Sequence, residues 1–430
     1  MKPSLKIGIA GLGTVGSGLI RLILERKDEL ELRAGRAIEI TAISARDKKI
    51  DRGYDISSYI WHDNPLELVF DSNVDVVVEL IGGSDGIAKD LILAAIENGK
   101  HVVTANKALI AHYGTSIANA AESAGVSFSY EAAVAGGIPI IKSLREGLAG
   151  NKLNRVYGVL NGTCNYILTT MEEQGREFED ILVECQKLGY AESDPSFDID
   201  GIDTAHKLAI LASIAFGGEV NFNSVHVEGI RHISPIDMKF AEELGFRIKL
   251  LGIASIQNEM LEQRVHPCMV PNGNPISKVS GSTNAVVADG NFVGTIIQEG
   301  AGAGAGPTAS AVASDIIDIA HGLRVPTFGV PAKQLQSFPT VSMQNHRGEF
   351  YIRLMVVDKP GVFADIAAAL RDHEVSIESV LQRTRDPGEA VPVVMTLHET
   401  KESSMTDSLK KIAAIGAVVE PPLMIRIESL

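Results

Sequence analysis

The sequence predicts an α/β protein of more than one domain, and three observations support this fold class. Its 430 residues exceed what one compact core usually holds, so two to three domains are expected. A short apolar run at residues 5–10 is followed at once by a glycine-rich turn and an amphipathic helical pattern. Apolar runs then alternate with helical segments up to about residue 150, an order typical of a parallel sheet covered by helices.

The composition narrows the class of function. A formal net charge of −15, without a dense run of Lys or Arg, argues against nucleic acid or an anionic membrane as the main partner. The three cysteines, Cys164, Cys185 and Cys268, form no CxxC pair and no zinc-binding spacing with histidine, which fits a reducing compartment. The N-terminus lacks the apolar core of a signal peptide, and no apolar run approaches the roughly 18 residues of a membrane span. We therefore expect a cytoplasmic protein.

The turn after the first predicted strand reads GLGTVG. Gly11 permits the tight turn, Gly13 lets the backbone approach a pyrophosphate, and Gly16 lets the helix pack on the strand. The N-terminus of that helix then faces the phosphates. The predicted dinucleotide site consists of Gly11, Leu12, Gly13, Thr14, Val15 and Gly16.

The end of the second predicted strand, residues 37–43, bears on the choice of dinucleotide. An acidic residue that binds the ribose 2′-hydroxyl of NAD is expected here, but the sequence places Arg46 at this point. Arginine suits a 2′-phosphate, so NADP is favoured. The neighbouring Asp47 keeps NAD open, and Arg46 could also stack on the adenine without selecting either cofactor.

Two further segments follow strands of the predicted parallel sheet. The strand at residues 101–104 ends in Thr104, and Lys107 comes just after it, at the edge where open α/β sheets bind ligands. The strand at residues 126–130 runs into the glycine-rich sequence EAAVAGGIP, which begins at Glu131. Carbonyls and one carboxylate can ligate a monovalent cation there, although the residue types alone favour a simple strand-to-helix turn.

The stretch at residues 189–211 carries the densest set of chemical groups. Its helical spacing puts Asp203 and Lys207 at i and i+4 on one face of an apolar helix. A lysine can donate or accept a proton when its surroundings adjust its pKa. On spacing alone, however, an exposed helix salt bridge is the favoured interpretation. The other carboxylates ahead of the helix are expected to collect at the same face; they are Glu192, Asp194, Asp198 and Asp200.

The remainder of the chain predicts two more units. Short strands between residues 155 and 288 predict an α+β substrate domain, residues 151–299, with a largely antiparallel sheet. Backbone can approach a ligand closely at Gly302 and Gly304, and the helix that follows is expected to return to the first domain. Residues 300–340 would thus complete a dinucleotide-binding domain formed by residues 1–150. Residues 349–430 follow the order βαββαβ.

These motifs together resemble homoserine dehydrogenase over essentially the whole chain. The motifs are GLGTVG from Gly11, TANK from Thr104, EAAVAGGIP from Glu131, NGTCNYIL from Asn161, GYAESDPSFDIDGIDTAHKLAIL from Gly189, and GAGAGPTASAV from Gly302. The resemblance implies a Rossmann-type domain and the NAD(P)-linked interconversion of L-homoserine and L-aspartate 4-semialdehyde, in threonine and methionine biosynthesis.

The resemblance also implies roles for individual residues. Lys207 is similar to the general acid/base of the family and Asp203 to its partner, while Lys107 is similar to a second catalytic or cofactor-contacting lysine. Glu192 would bind the substrate ammonium. Asp198 and Gly189 complete the substrate-binding set, and Gly189 would lie near both the cofactor and the substrate. The remaining implied groups are a cofactor set that includes Thr104, Gly189, Gly302 and Gly304, and a structural sodium site formed by Glu131, Val134, Gly136 and Ile138.

The C-terminal unit resembles an ACT domain, whose turn here reads DKPG from Asp358 to Gly361. It implies control by an amino acid, most simply threonine, and pairing of sheet edges in a homodimer or homotetramer. A dimerisation domain without an effector remains open. For the whole chain, two alternatives remain: an aspartate-semialdehyde dehydrogenase with Cys164 as nucleophile, and a sensor without catalysis.

Overall fold

A computed structural model describes residues 3–383 and 388–430. Its first part alternates strands and helices, as the apolar pattern predicts. The elements are β1 Leu5–Ala10, α1 Thr14–Glu25, α2 Lys27–Ala34, β2 Ile38–Ser44, β3 Ile60–His62, α3 Glu67–Phe70, β4 Val76–Glu79, α4 Ile87–Glu97, β5 His101–Thr104, α5 Lys107–Ala124, β6 Phe128–Ser129 and α6 Ile140–Lys142.

The six strands form one parallel sheet in the order β3-β2-β1-β4-β5-β6. All four residues of β4 are buried, which explains its continuous apolar sequence. The chain reverses its direction of travel across the sheet between β1 and β4, and a ligand crevice lies at such a switch point. The glycine turn follows β1 at this position. The predicted Rossmann-type α/β fold is therefore confirmed.

The second part is a largely antiparallel sheet with helices against it. Its elements are β7 Leu153–Val159, α7 Gly162–Gln174, α8 Phe178–Leu188, α9 Ser196–Ile199, α10 Ile202–Phe216, β8 His226–Val227, α11 Pro235–Glu243, β9 Phe246–Gln257, β10 Met260–Pro271, β11 Thr283–Gly290, β12 Gly294–Ala301 and α12 Ala305–His321. Helix α10 packs against α5 of the first part and against β7, β9 and β10. Because it is covered on several sides, nearly all of its residues are buried.

Helix α12 returns to the first part of the chain. Val312 and Ile316 belong to the same apolar core as Ile9 and Leu19. A Cβ placed on Gly18 would lie 2.7 Å from the carbonyl oxygen of Ala305, so α1 and the start of α12 approach closely. These contacts support the prediction that residues 300–340 complete the unit begun by residues 1–150. The division into residues 1–150, 151–299 and 349–430 remains our proposal for the domain limits.

The C-terminal part has the predicted order of elements, βαββαβ. They are β13 Arg347–Val357, α13 Val362–Arg371, β14 Ile377–Leu381, β15 Ala390–Lys401, α14 Glu402–Ala413 and β16 Leu423–Ile427. The last strand lies between β10 and β13, pairing parallel with the first and antiparallel with the second. A single ten-stranded sheet thus runs through the substrate and C-terminal parts, a connection that the sequence pattern does not predict.

Buried ion pairs hold this connection together. Arg264 of β10 donates to both carboxylate oxygens of Glu428, with nitrogen–oxygen distances of 2.9 Å. Arg426 of β16 is 2% exposed and pairs with Glu228 and Glu402. Removing one partner of such a pair leaves a buried charge uncompensated, at a cost of about 3–5 kcal/mol. The C-terminal part is therefore energetically coupled to the substrate part.

Two details differ from the sequence prediction. The helical pattern of the sequence predicts a helix over residues 115–124. Helix α5 instead begins at Lys107, because the side chain of Asn106 caps it there. Strand β12 was not predicted, because its glycines and half-exposed residues show no clear alternation between apolar and polar types. Among the described residues, no helix is long and apolar enough to cross a membrane.

Candidate active site

A cavity of about 1010 Å³ lies where the first sheet meets the substrate part. Its wall combines the N-terminal end of α1, the start of α5, the segment around α9 and α10, and the glycine-rich loop before α12. The structure thus brings together residues that lie far apart in the sequence. Those predicted site residues that line it are Val15, Lys107, Gly136, Gly189, Asp198, Asp203, Lys207, Gly302 and Gly304.

Asp203 is the centre of the charged part of the wall. Its Oδ2 accepts a hydrogen bond from the ammonium of Lys207 at 2.7 Å, and its Oδ1 lies 3.1 Å from Nζ of Lys107. The carboxylate is 3% exposed and Lys207 is 7% exposed. The interpretation of the i,i+4 pair as an exposed helix salt bridge is therefore wrong, because α10 enters the core with its polar first turn facing the cavity.

Burial and charge oppose each other at this carboxylate. Burial alone would raise the pKa of Asp203, but the ammonium groups of Lys207 and Lys107 outweigh it and hold the pKa well below its usual range. Asp203 in turn raises the pKa of Lys107, against the opposite effect of burial. The group therefore carries one fixed negative charge between two cations at neutral pH.

Asn161 is a site residue, although its position at the start of a helix indicates only a cap when the sequence is read alone. Its Oδ1 does cap α7, by accepting from the backbone N–H of Cys164 at 2.8 Å. Its Nδ2 also donates to Asp198 at 2.8 Å and to Asp203 at 2.9 Å. One amide thus fixes two carboxylates that belong to different helices. Only the tertiary packing of α7 and α10 against α9 reveals this second role.

The remaining carboxylates of the acidic stretch are dispersed. Asp198 is half-buried in the cavity wall, and burial raises its pKa. Glu192 is exposed and lies outside the cavity wall, although its charge helps to raise the pKa of Lys107. Asp194 is exposed, and Asp200 pairs with Arg231 on the surface. The prediction that all of them collect at one face is wrong, because α9 and its flanking turns direct them apart.

Cys164 does not resemble an activated nucleophile. It is fully buried, and its thiol donates to the carbonyl oxygen of Asp198 at 3.3 Å. Burial raises the pKa of the thiol well above its usual value, and the nearby aspartates act in the same direction. The thiolate that an aspartate-semialdehyde dehydrogenase requires is thus disfavoured at this position.

The glycine turn after β1 fits a dinucleotide, as judged by the space around each Cα. A Cβ on Gly11 would lie 2.4 Å from the carbonyl oxygen of Leu80, and one on Gly16 would lie 2.0 Å from that of Gly11. At Gly13 a Cβ would meet nothing within 4 Å. Gly11 and Gly16 are therefore required by packing, whereas Gly13 borders open space where a pyrophosphate can approach the backbone.

Basic side chains surround the predicted position of the adenosine ribose. Arg46 follows the carboxyl end of β2 and is exposed. Arg52, which sequence reasoning missed, donates to the carbonyl oxygens of Leu12 and Asp47 at 3.4 and 2.6 Å and so lies beside the glycine turn. Both cations are therefore candidates for binding a 2′-phosphate. No motif in the sequence marks Arg52.

Thr104 and Lys107 have different positions relative to the cavity. The hydroxyl of Thr104 is buried and donates to Glu79 at 2.6 Å, so its side chain serves the sheet rather than the cavity. Lys107 opens α5, whose cap residue Asn106 donates from its side chain to the carbonyl oxygen of Gly83 at 2.7 Å. The Nζ of Lys107 also lies 5.7 Å from the ring centre of Phe197. The backbone of Lys107 is thus held at the capped start of α5, and its ammonium group is held at the other end of the side chain.

The loop at residues 131–138 has the groups of a cation site. Glu131 is 2% exposed, and its carboxylate accepts from the backbone N–H groups of Ile141 and Lys142 at 2.9 Å. Burial, and after it the charge of Asp315, raises the pKa of Glu131 to about 7. Val134 and Gly136 are buried residues, and within the described chain their carbonyl oxygens accept no backbone hydrogen bond. These acceptors fit a hard monovalent cation.

The same loop supports the glycines before α12. A Cβ on Gly136 would lie 2.5 Å from the carbonyl oxygen of Gly302, and Gly137 donates to the carbonyl oxygen of Ala301 at 2.9 Å. The loop that contains Ile138 and the loop that contains Gly302 are therefore packed together. A cation bound in the loop that contains Ile138 should therefore influence the shape of the loop that contains Gly302.

One other cluster of potential ligands is present in the described part of the chain. His266, Cys268 and Glu428 place ligand atoms within 4.8 Å of one another. Arg264, however, donates to both oxygens of Glu428, and the charges of Arg264 and Arg426 lower the pKa of His266 after burial has done so. A further cation is disfavoured there.

The parallel sheet, the glycine turn and a buried ammonium–carboxylate pair in one cavity define a dinucleotide-dependent oxidoreductase. Comparison with known proteins specifies the family. Residues 139–317 match homoserine dehydrogenase, residues 11–131 match the homoserine dehydrogenase NAD-binding domain, and residues 350–416 match the ACT domain.

Full-length relatives agree. The chain is 45% identical to a homoserine dehydrogenase of Neisseria gonorrhoeae and 43% identical to one of Pseudomonas aeruginosa, in each case over 100% of both chains. The crystal structure of a homoserine dehydrogenase from Thiobacillus denitrificans superposes with a TM-score of 0.93 at 43% identity, covering 100% of this chain and 99% of that one. A hyperthermophilic archaeal homoserine dehydrogenase in complex with NADPH gives a TM-score of 0.65 at 29% identity, over 75% of this chain and 99% of that one.

The chain therefore belongs to the homoserine dehydrogenase family of NAD(P)-dependent oxidoreductases, and it carries a C-terminal ACT domain.

Proposed function

We propose that this protein reduces L-aspartate 4-semialdehyde reversibly to L-homoserine with NAD(P)H, and that Lys207 transfers the proton. The geometry of the Lys207 ammonium carries this proposal. Two of its three N–H bonds are engaged, one by the carbonyl oxygen of Leu160 at 2.6 Å and one by Asp203 at 2.7 Å. The third is left to donate into the cavity that Lys207 lines.

The chemistry assigns each group one task. Bound NAD(P)H supplies a hydride to the aldehyde carbon of the substrate. Lys207 donates a proton to the aldehyde oxygen as negative charge develops there, and its own positive charge stabilises that oxygen. Asp203 keeps the ammonium in place, and Lys107 adds a second positive charge on the other side of the carboxylate. In the oxidative direction a neutral lysine accepts the proton of the hydroxyl group.

The amino-acid part of the substrate requires a cation site and an anion site. Asp198 in the cavity wall, with Glu192 near the rim, suits the substrate ammonium. The N-terminus of α7 suits the carboxylate, because Gly162 and Thr163 line the cavity at the positive end of a 13-residue helix. This arrangement would hold the substrate between α7 and α9.

For the cofactor we propose NADP in preference to NAD. Arg46 follows the carboxyl end of β2, and Arg52 donates to the carbonyl oxygen of Leu12 in the glycine turn. A 2′-phosphate would give these cations a partner that a hydroxyl group does not. For the loop formed by Glu131, Val134, Gly136 and Ile138 we propose a structural sodium ion. The buried carbonyl oxygens there and the raised pKa of Glu131 support it, because a cation would favour the ionised carboxylate.

The ACT domain is proposed to bind threonine and to inhibit the enzyme. The turn of Asp358 to Gly361 precedes α13, where Gly361 has a φ of 96° as the cap residue. A ligand changes activity only if it binds two conformations unequally, and the continuous sheet through β16 offers a mechanical connection to the substrate domain. We further propose a homodimer or homotetramer, because the ten-stranded sheet of the described residues ends at β12 and β14, whose outer edges pair with no further strand there.

Oxidation of NADPH on addition of L-aspartate 4-semialdehyde tests the main proposal. Absorbance at the reduced nicotinamide band should fall only when enzyme and semialdehyde are both present, and L-homoserine with oxidised cofactor should reverse it. A requirement for inorganic phosphate, with product formation abolished by Cys164→Ala, would instead identify an aspartate-semialdehyde dehydrogenase. Cofactor binding without any turnover would instead indicate that the protein is a sensor without catalysis.

A further inference from the structure

Asn284, near the start of β11, is a buried amide in the cavity wall to which no role has been assigned. Its side chain is 1% exposed. Within the described residues, neither its Nδ2 nor its Oδ1 has a hydrogen-bond partner. A buried donor or acceptor that loses water without gaining a partner destabilises the folded protein. A position of this kind points to a partner from outside the chain.

A second buried amide nearby, that of Asn165, has the hydrogen bonds expected of a structural role. Asn165 of α7 is equally buried, at 1% exposed. Its Nδ2 donates to the carbonyl oxygens of Val279 and Thr283 at 3.2 Å, and its Oδ1 accepts from Lys249 at 3.3 Å. The fold thus satisfies one buried amide completely in the same region and leaves the other open towards the cavity.

Two glycines make room for the Asn284 amide. A Cβ on Gly302 would lie 2.1 Å from Cγ of Asn284, and the three atoms nearest to it all belong to this amide. A Cβ on Gly162 would lie 3.5 Å from Oδ1 of Asn284. Asn284 is therefore situated between the loop that precedes α12, on the cofactor side, and the N-terminus of α7, on the substrate side.

The chemistry of an amide selects among the groups that enter the cavity. An amide offers a donor and an acceptor in one plane, so it pairs best with another group of the same kind. Phosphates, the substrate carboxylate and the aldehyde only accept, and the substrate ammonium only donates. The hydroxyl groups of the riboses and of L-homoserine do both, but through a single oxygen and not through two atoms in one plane. Adenine carries both, but its predicted position near Arg46 is at the far end of the cofactor. The nicotinamide carboxamide carries both at the reacting end.

We infer that Asn284 hydrogen-bonds to the carboxamide of the nicotinamide and so fixes the rotation of the ring. The inference rests on the NAD(P) dependence of the family and deepens the proposed function. Since the carboxamide is attached to the ring beside the carbon that carries the hydride, fixing it determines which face of the ring meets the substrate. Asn284 is thus a positioning residue for the cofactor.

Binding measurements on Asn284→Ala test this without turnover. Isothermal titration calorimetry should show a Kd for NADP⁺ that is roughly tenfold higher than in the unsubstituted protein, the factor equivalent to about 1.4 kcal/mol. The Kd for 2′-phospho-ADP-ribose, which lacks nicotinamide, should not change. If the protein prefers NAD, the same pair of measurements uses NAD⁺ and ADP-ribose.

Thermal unfolding gives a second readout. Because Asn284→Ala removes an unpaired buried amide, the Tm of the ligand-free variant should equal or exceed that of the unsubstituted protein, while the Tm rise on adding cofactor should shrink. Asn165→Ala is the matched control. It leaves the carbonyl oxygens of Val279 and Thr283 without that donor, so it should lower the Tm and leave the ratio of the two Kd values unchanged.

A cofactor analogue locates the contact. In 3-acetylpyridine adenine dinucleotide phosphate a methyl group replaces the carboxamide NH₂. The ratio of kcat/KM for NADP⁺ to that for the analogue should fall several-fold in Asn284→Ala, because the variant no longer contacts the group that differs. Asn284→Asp fills the same volume without the Nδ2 donor. Its negative charge should weaken NADPH binding more than binding of NADP⁺, whose ring is positive.

Three outcomes would overturn the inference. Equal weakening of NADP⁺ and 2′-phospho-ADP-ribose would make Asn284 a packing residue of the cavity. Unchanged affinity for both would remove any contact with the cofactor. Weaker binding of L-homoserine with unchanged cofactor affinity would assign the amide to the substrate. None of these results affects the assignment of the reaction, which the semialdehyde assay tests separately.

Discussion

The carboxyl group of Glu131 should make the stability of the ligand-free protein depend on pH near neutrality. Burial raises its pKa from an ordinary value of 4.5 to about 7. A carboxyl group with a raised folded-state pKa stabilises the folded protein fully below its unfolded pKa, and this contribution is lost as the pH rises through 7. The difference corresponds to about 3 kcal/mol. Without sodium, the Tm should therefore fall between pH 5 and pH 8.

Sodium should reverse this loss, since it binds the ionised form of the carboxyl group. With a pKa of about 7, roughly one Glu131 in ten is ionised at pH 6, so the apparent sodium affinity should be roughly tenfold weaker there than at pH 8. Asp315, whose pKa burial raises to about 6, and Lys142 face the same carboxylate. The charges of Asp315 and Lys142 shift the pH at which Glu131 is half ionised. They do not change the direction in which pH alters stability and sodium affinity.

Differential scanning fluorimetry measures both effects. Tetramethylammonium chloride is replaced stepwise by sodium chloride at constant ionic strength, at pH 6 and at pH 8. Glu131→Gln mimics the protonated carboxyl group and should abolish the sodium response. Glu122→Gln is the control, because Glu122 also accepts from two backbone N–H groups, those of Thr327 and Ala332 at 3.0 and 2.8 Å. Equal sodium stabilisation at both pH values, or in Glu131→Gln, would refute the reasoning.

Three further predictions concern turnover, cofactor choice and regulation. Lys207→Ala should lower kcat at least about 100-fold in steady-state assays, and a near-normal kcat would transfer the proton-donor role to Lys107. Arg46→Ala should raise the KM for NADPH much more than that for NADH, and equal effects on both would remove the 2′-phosphate argument. Threonine should inhibit the full chain, and Gly361→Val, which strains a φ of 96°, should relieve inhibition without loss of kcat. Inhibition that persists in this variant would move the threonine site to the substrate pocket.

The regulatory test has to avoid truncation. From the sequence alone, deletion of the chain from about Glu349 is expected to leave an active enzyme that ignores threonine, since the proposed catalytic residues lie upstream. The structure alters that expectation, because the deletion removes β16 from the edge of β10 and takes Glu428 away from Arg264. The substrate part is therefore expected to lose stability, since an edge that is now paired would be exposed. Loss of activity on truncation would therefore report instability as readily as regulation.

Local sequence patterns determined most of the fold. The apolar strand before GLGTVG, the buried strand β4 and the βαββαβ order of the C-terminal unit each follow from the periodicity of neighbouring residues. Sequence spacing also identified Lys207 and Asp203 as one pair on one helix face. These features depend on residues within a few positions of each other, and for that reason no tertiary information is needed to predict them.

Tertiary structure decided which of these groups meet and in what surroundings. The exposure of the Asp203–Lys207 pair depends on the packing of α10 between α5 and the second sheet. The spacing of residues along one helix does not predict that packing. Asn161 bridges two carboxylates, and Asn284 meets Gly302, only because separate elements pack against each other. A side chain's hydrogen-bond partners and its pKa are properties of its neighbours in space. The sequence by itself therefore determined the elements and the candidate groups, and the fold determined their chemistry.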